Sequence, residues 1–145
     1  MDIRYARRSE DTEQVLVMQW AALNERRYPE LKWLFHVPNG GSRNRAEAVK
    51  LKQMGVKAGV SDLHLPAGKG MYGGLCMDMK YADGTIQKNQ KEFLRDMAAA
   101  GKYACVCYGA DEAIQVLEEY LKLDSGEAVG TENPCIRKNG KIKGI

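Results

Sequence analysis

The run GLCMDMK at residues 74–80 is the feature that most limits how this chain can fold. It is apolar except for one acid, Asp78, and one base, Lys80. An uninterrupted apolar run of this kind predicts an interior strand of a sheet, and side chains two positions apart on a strand point to the same face. Asp78 and Lys80 are therefore expected to lie side by side inside the protein, where a charge is costly unless it is paired or bound to a metal.

A second aspartate, Asp62, lies in another strand-like run, VSDLHL at residues 60–65, directly after the glycine-containing stretch GVKAG. Two aspartates on adjacent buried strands repel each other unless a positive charge lies between them. Two explanations stay open: a structural salt bridge between Asp78 and Lys80, or a divalent cation whose oxygen ligands suit Mg²⁺ or Mn²⁺. In the second case the lysine can orient or deprotonate a water, which is the outline of a phosphodiesterase site.

The rest of the sequence predicts alternating helices and strands. Helical spacing of apolar residues, N-cap signals and Gly or Pro stops mark the helices, and short apolar runs between turns mark the strands. The predicted elements are helix 9–27, strand 32–37, helix 43–55, strand 60–65, strand 75–82, helix 87–101, strand 103–109 and helix 110–123. Their order predicts an α/β/α sandwich with a central mixed sheet of about four strands. Residues 1–123 are expected to form one domain and residues 124–145 a loosely ordered, basic, Gly- and Lys-containing tail.

Composition and charge argue against several other classes of protein. No apolar run approaches the length of about 18 residues that a membrane span needs, and the N-terminal MDIRYARRSED lacks the apolar segment of a secretory signal. The four cysteines fit no zinc-binding spacing and are expected to be buried free thiols in a reducing compartment. The net charge of +3 is small, but the basic residues are clustered. A basic face that binds phosphates and a set of solvated helix faces are both compatible with this pattern.

The residues Asp62 and Asp78-Met79-Lys80 resemble the active-site pattern of the PD-(D/E)xK nuclease superfamily. The chain as a whole resembles its VRR-NUC branch, the virus-type replication-repair nuclease domain, over roughly residues 9–121. The matching text is FHVPNGGSRNRAEAVKLKQMGVKAGVSDLHL, YGGLCMDMK and QKNQKEFLRDMAAAGKYACVCYGADEAIQVLEEYL. The resemblance implies a restriction-endonuclease-like fold and metal-dependent DNA cleavage. Stand-alone copies of this length are typical of phages, which implies a cytoplasmic location in an infected bacterial host.

The resemblance also implies roles for individual residues of the central strands. Asp62 and Asp78 match the metal-binding acids, although the family usually has glutamate where Asp78 stands. Lys80 matches the catalytic lysine. Gln90, on the following helix, matches a glutamine near the active centre that helps to hold the lysine, the water or the phosphate.

A further acid is implied on the first helix, where the family has a glutamate four residues before a glutamine. Glu10 and Gln14 have this spacing, so Glu10 is favoured as a third metal ligand and catalytic residue. Glu13 is the alternative, since it lies three residues further on and on nearly the same helical face.

The loop FHVPNGG and the start of the next helix are expected to contact the DNA backbone. Glycines allow a phosphate to approach closely, and a helix N-terminus favours an anion. The expected DNA-binding residues are Asn39, Gly40, Gly41, Ser42, Arg43 and Arg45. His36, in the same stretch, is either a buried core residue or a neighbour of the site.

The leading hypothesis is a Mg²⁺- or Mn²⁺-dependent DNA endonuclease that acts on branched DNA such as four-way junctions. A junction has two scissile strands, so a symmetric homodimer with two sites is expected. The alternatives are a flap-like or restriction-like nuclease on the same core, and a non-catalytic DNA-binding module. The presence of both Asp62 and Lys80 argues against the non-catalytic module.

Overall fold

The computed structural model describes residues 7–38, 44–129 and 133–145, and the architecture below is that of these residues. The helices and strands that the sequence predicts up to residue 123 are present in the predicted order, with narrower bounds. The helices are α1 (Glu10–Leu23), α2 (Arg45–Gln53), α3 (Lys88–Ala99) and α4 (Ala110–Leu121). The strands are β1 (Phe35–His36), β2 (Leu63–Leu65), β3 (Leu75–Lys80), β4 (Tyr103–Tyr108), β5 (Cys135–Lys138) and β6 (Lys141–Gly144).

One mixed sheet joins these strands in the order β1-β2-β3-β4-β5-β6. β3 and β4 are parallel, as are β4 and β5, whereas the other neighbouring pairs are antiparallel. Parallel neighbours need a crossover connection, and α3 and α4 supply the two that this sheet requires. β3 and β4 lie in the middle of the sheet and are buried on both faces, which explains their continuous apolar sequences.

Helices cover both faces of the sheet, as the predicted α/β/α sandwich requires. Leu75, Met77 and Met79 of β3 belong to the larger core, which α1 and α4 complete on one face. The alternate residue Cys76 belongs to a smaller core on the opposite face, where Leu94 of α3 packs. This alternation also sends Asp78 and Lys80 toward the α3 face.

The expected number of about four strands is wrong, because the described sheet has six. The expectation of a loosely ordered C-terminus is also wrong for residues 133–145, which supply β5 and β6. The side chain of Arg137 on β5 is only 2% exposed and forms a two-pronged ion pair with Glu119 of α4, at 2.6 and 3.2 Å. β6 is the outer edge strand, where exposed lysines are a common protection against unwanted pairing, so its sequence resembles that of a solvated tail.

The predicted strand 32–37 is shorter than expected. Pro29–Trp33 forms a single 3₁₀ helix instead, because Pro29 occupies its first position with a backbone angle suited to helical turns. Only Phe35 and His36 pair with β2.

Two expectations drawn from composition bear on the interior. The four cysteines are buried free thiols, as predicted: Cys76, Cys105, Cys107 and Cys135. No helix in the described part of the chain is both long and apolar enough to cross a membrane.

Candidate active site

Asp78 and Lys80 lie next to each other on the α3 face of β3 and are 0% and 6% exposed. Within the described ranges no ion pair joins them, so the simple salt-bridge explanation is not what the geometry favours. Lys80 Nζ instead donates a hydrogen bond to Gln90 Oε1 at 3.1 Å and lies 4.0 Å from Glu10 Oε1. The Gln90 oxygen also accepts the backbone N–H of Gln87 at 2.9 Å. The lysine is therefore oriented by the first turn of α3.

Asp62 directly precedes β2, and its side chain reaches across to β3. Its Oδ2 accepts the backbone N–H of Met79 at 2.7 Å, between Asp78 and Lys80 in sequence. On the other side, His36 Nδ1 lies 2.7 Å from the backbone oxygen of Asp62, a distance at which the ring N–H donates. His36 is exposed, so the core-residue interpretation of His36 is wrong, and its contact supports Asp62 through the β1–β2 pairing.

The glycine-containing stretch before Asp62 has a packing reason. Gly59 has a φ of +86°, and a Cβ atom there would lie 2.8 Å from backbone atoms of Asn89 in α3. Only glycine allows this approach at this backbone angle. The segment that leads to Asp62 is thereby pressed against the helix that carries Gln90.

The carboxylate of Asp78 has an unusual environment. Neither of its oxygens has a hydrogen-bond partner among the residues that the structure describes. Burial, followed by the negative charge of Asp62, raises the pKa of Asp78 from 3.8 to about 8, and nearby Lys80 only partly offsets this. Two close carboxylates, of which Asp78 has no donor among the described residues, are an environment that a cation relieves.

The donor set fits a hard divalent ion. Mg²⁺ is commonly bound through one or two carboxylates, with water and substrate phosphate completing its coordination, and Asp62 and Asp78 supply two. Over residues 7–38, 44–129 and 133–145, no three His, Cys, Asp or Glu side chains come together as a ready-made metal cluster. Glu10 thus lies near the site without closing a cage around it.

The structure separates the two candidate acids of α1. Glu10 faces the site: burial raises its pKa, Lys80 lowers it, and Asp62 raises it further. Glu13 instead accepts Arg8 Nη2 at 2.5 Å and lies 3.4 Å from the first backbone N–H of α4. The geometry therefore brings Glu10, not Glu13, to Lys80.

Of the six expected DNA-binding residues, only Arg45 is among those that the structure describes. Asn39, Gly40, Gly41, Ser42 and Arg43 lie outside the described residues. Arg45 is the exposed first residue of α2, a helix with no buried residue, which Asn44 caps by accepting the backbone N–H of Glu47 at 2.7 Å.

Sequence reasoning missed Tyr108 as a neighbour of the candidate site. Tyr108 is the register partner of Lys80 on β4. Burial, then Glu112 and Glu10, raises its pKa, which places the phenol within the field of the Glu10 carboxylate. The sequence signal for this contact is that Lys80 and Tyr108 are the last residues of the strands β3 and β4, which pair along their length.

Fold and site together define a class of protein. A restriction-endonuclease-like α/β/α sandwich carries Asp-x-Lys on a central strand and a second aspartate directly before the adjoining strand, which is the arrangement of the PD-(D/E)xK nuclease superfamily. Among solved structures, a VRR_NUC domain protein is similar, with a TM-score of 0.71 and 32% sequence identity over 88% of this chain and 99% of that chain. No family model matches the chain, and neither does any curated protein. The identity and coverage show that the chain belongs to the VRR-NUC family.

Proposed function

We propose that the protein is a Mg²⁺- or Mn²⁺-dependent endodeoxyribonuclease that hydrolyses phosphodiester bonds in branched DNA. The observation that carries this proposal is the Asp62–Asp78 pair, in which Asp78 is fully buried and has no hydrogen-bond donor in the described part of the chain. A purely structural carboxylate in that position costs stability, because burial disfavours its charge.

Each residue of the site has a role in this proposal. Asp62 and Asp78 hold the metal ion, which when bound supplies a Lewis acid that acidifies water and neutralises phosphate charge. Glu10 contributes a third negative group, 4.0 Å from Lys80 Nζ. Lys80 donates to the phosphate and stabilises the charge that grows there during cleavage. Gln90 keeps the ammonium group in place through the bond at 3.1 Å.

Branched DNA is proposed as the substrate because of the resemblance to stand-alone phage domains, for which the host cytoplasm is the location. One such domain offers one set of catalytic residues, and a four-way junction needs two symmetric incisions. A twofold homodimer meets this requirement. Residues 39–43 and Arg45 are proposed to contact the backbone of the bound strand.

The test is a cleavage assay with purified protein on junction, flap, duplex and single-stranded DNA. We expect junction cleavage with Mg²⁺ or Mn²⁺ and none with EDTA. Asp62→Asn should abolish cleavage while junction binding is retained or strengthened, because the variant repels phosphate less. Asp96→Asn, on the exposed side of α3, is the matched control and should cleave normally.

Two results would count against the proposal. Cleavage at the normal rate by Asp62→Asn would remove the assigned site. A monomer in light scattering that cuts flaps as well as junctions would replace the junction substrate with a flap-type one.

A further inference from the structure

A cavity of about 230 Å³ opens at the carboxyl ends of β3 and β4 and plays no part in the proposed cleavage chemistry. It lies between the start of α1, the start of α4 and the β5–β6 turn. Two tyrosines, two cations and two acids give it its chemical character: Tyr81, Tyr108, Arg8, Lys138, Glu13 and Asp111. It is smaller than the roughly 300 Å³ at which pockets for drug-sized ligands begin, so it suits a single small planar group.

Glu13 provides an unsatisfied acceptor in the cavity wall. Its side chain is 1% exposed, and its Oε1 receives both Arg8 and the first backbone N–H of α4. Its Oε2 has no hydrogen-bond partner within residues 7–38, 44–129 and 133–145. A buried carboxylate oxygen without a donor is costly, and a ligand N–H group that reaches this oxygen when the exposed Arg8 side chain moves aside would relieve that cost.

Each of the two tyrosine rings has a basic side chain over one face. Arg8 Cζ lies 5.4 Å from the centroid of the Tyr81 ring, and Lys138 Nζ lies 4.9 Å from that of Tyr108. Both basic side chains are exposed and can exchange a ring face for a phosphate oxygen. Aromatic faces beside exposed cations are the means by which proteins hold unpaired bases and their backbone.

The cavity borders the catalytic lysine directly. Tyr81 follows Lys80 in the chain, and Tyr108 is the partner of Lys80 in the β3–β4 register. Glu13 lies nearly one helical turn beyond Glu10 on α1. A DNA strand whose phosphate reaches Lys80 therefore brings a flanking base to this cavity.

We propose that this cavity binds one unpaired nucleobase of the DNA, stacked on a tyrosine ring and donating its amino group to Glu13. The proposal rests on the proposed function only in taking DNA as the ligand. Adenine and cytosine carry an amino group at the position where thymine carries a carbonyl oxygen, and guanine carries its amino group at C2. The one ring N–H of thymine lies between two carbonyl oxygens, which the carboxylate repels. The site thus selects against thymine beside the cleaved bond.

Binding is measured without metal, so that cleavage plays no part. Protein in EDTA is titrated with short single strands of deoxyadenosine or of thymidine, and with the two free nucleoside monophosphates, by calorimetry. We expect the deoxyadenosine strand to bind about tenfold more tightly than the thymidine strand. It should also bind more tightly than its free monophosphate, because Arg8 and Lys138 add backbone contacts.

Two variants with matched controls test the individual contacts. Glu13→Gln should remove the preference between the two strands, because a carboxamide accepts from one base and donates to the other. Glu92→Gln, exposed on α3, should keep it. Tyr81→Leu should weaken both strands about tenfold, consistent with the loss of one stacked base. Tyr81→Phe should not.

The proposal is overturned if the unaltered protein shows no preference between the two strands. It is also overturned if Glu13→Gln keeps the preference and Tyr81→Leu keeps the affinity. A lower melting temperature of Glu13→Gln with an unchanged preference would make Glu13 only a cap for α4. Equal affinity for the free monophosphate and the strand would overturn the assignment to DNA. A protein that shows the preference but cuts no DNA would refute the nuclease proposal alone.

Discussion

Replacing Asp78 by asparagine should stabilise the metal-free protein at neutral and alkaline pH while it abolishes cleavage. Asp78 is fully buried, and its pKa is raised from 3.8 to about 8 by burial and by Asp62. At about 1.4 kcal/mol for each pH unit, this corresponds to an upper limit of roughly 6 kcal/mol of folding free energy. Because interiors relax around a buried charge, we expect a gain of at least about 2 kcal/mol for Asp78→Asn at about pH 8.

The direction of the pH dependence follows from the raised pKa. Between about pH 4 and pH 8 the folded state holds a proton on Asp78 that the unfolded state has lost. The stability from that proton is complete below about pH 4 and is lost as the pH rises through about 8. The free energy of unfolding in EDTA, from urea titrations at several pH values, should therefore fall with pH more steeply for the unaltered protein than for Asp78→Asn. Asp96→Asn is the control for removing an exposed acid.

Adding metal should reverse the order of the two proteins. Mg²⁺ or Mn²⁺ binds the folded state with both carboxylates ionised, so it should stabilise the unaltered protein at about pH 8 and leave Asp78→Asn nearly unchanged. Parallel pH profiles for the two proteins in EDTA would refute the assignment of a destabilising charge to Asp78. An equal metal response would refute Asp78 as a ligand.

Two further predictions concern the support of the site. Lys80→Ala should lower the cleavage rate by at least about a hundredfold and Gln90→Ala by about tenfold. Because Gln90 acts by holding the lysine, the double variant should be no slower than Lys80→Ala. Normal activity per folded molecule of Lys80→Ala would instead make the lysine structural. Gly59→Ala should lower the free energy of unfolding by more than about 2 kcal/mol, since its Cβ would lie 2.8 Å from the Asn89 backbone. Gly55→Ala, at a φ of +106° with open space around it, should lower the free energy of unfolding by only about 1 kcal/mol. Equal melting temperatures for the two glycine variants would refute the close approach.

The C-terminal strands mark the limit of what local sequence pattern reveals about this fold. β3 and β4 were predictable because burial on both faces leaves a continuous apolar run. β5 is buried by pairing with β4 and by the ion pair between Arg137 and Glu119, and β6 is an edge strand with exposed lysines. Neither source of stability leaves an apolar signature in the segment itself.

The sequence by itself determined the order of the helices and strands up to residue 123, the family resemblance and the residues Asp62, Asp78 and Lys80, because the period of two on a buried strand makes a paired acid and base conspicuous. It favoured Glu10 over Glu13 on α1 only through the spacing to Gln14 that the resemblance implies. Glu10 and Glu13 are three residues apart and share a helical face, so helical periodicity alone does not separate them. Only the tertiary structure decided the matter. Glu13 binds Arg8 and the N-terminus of α4, whereas Glu10 lies 4.0 Å from Lys80, which α3 holds in place.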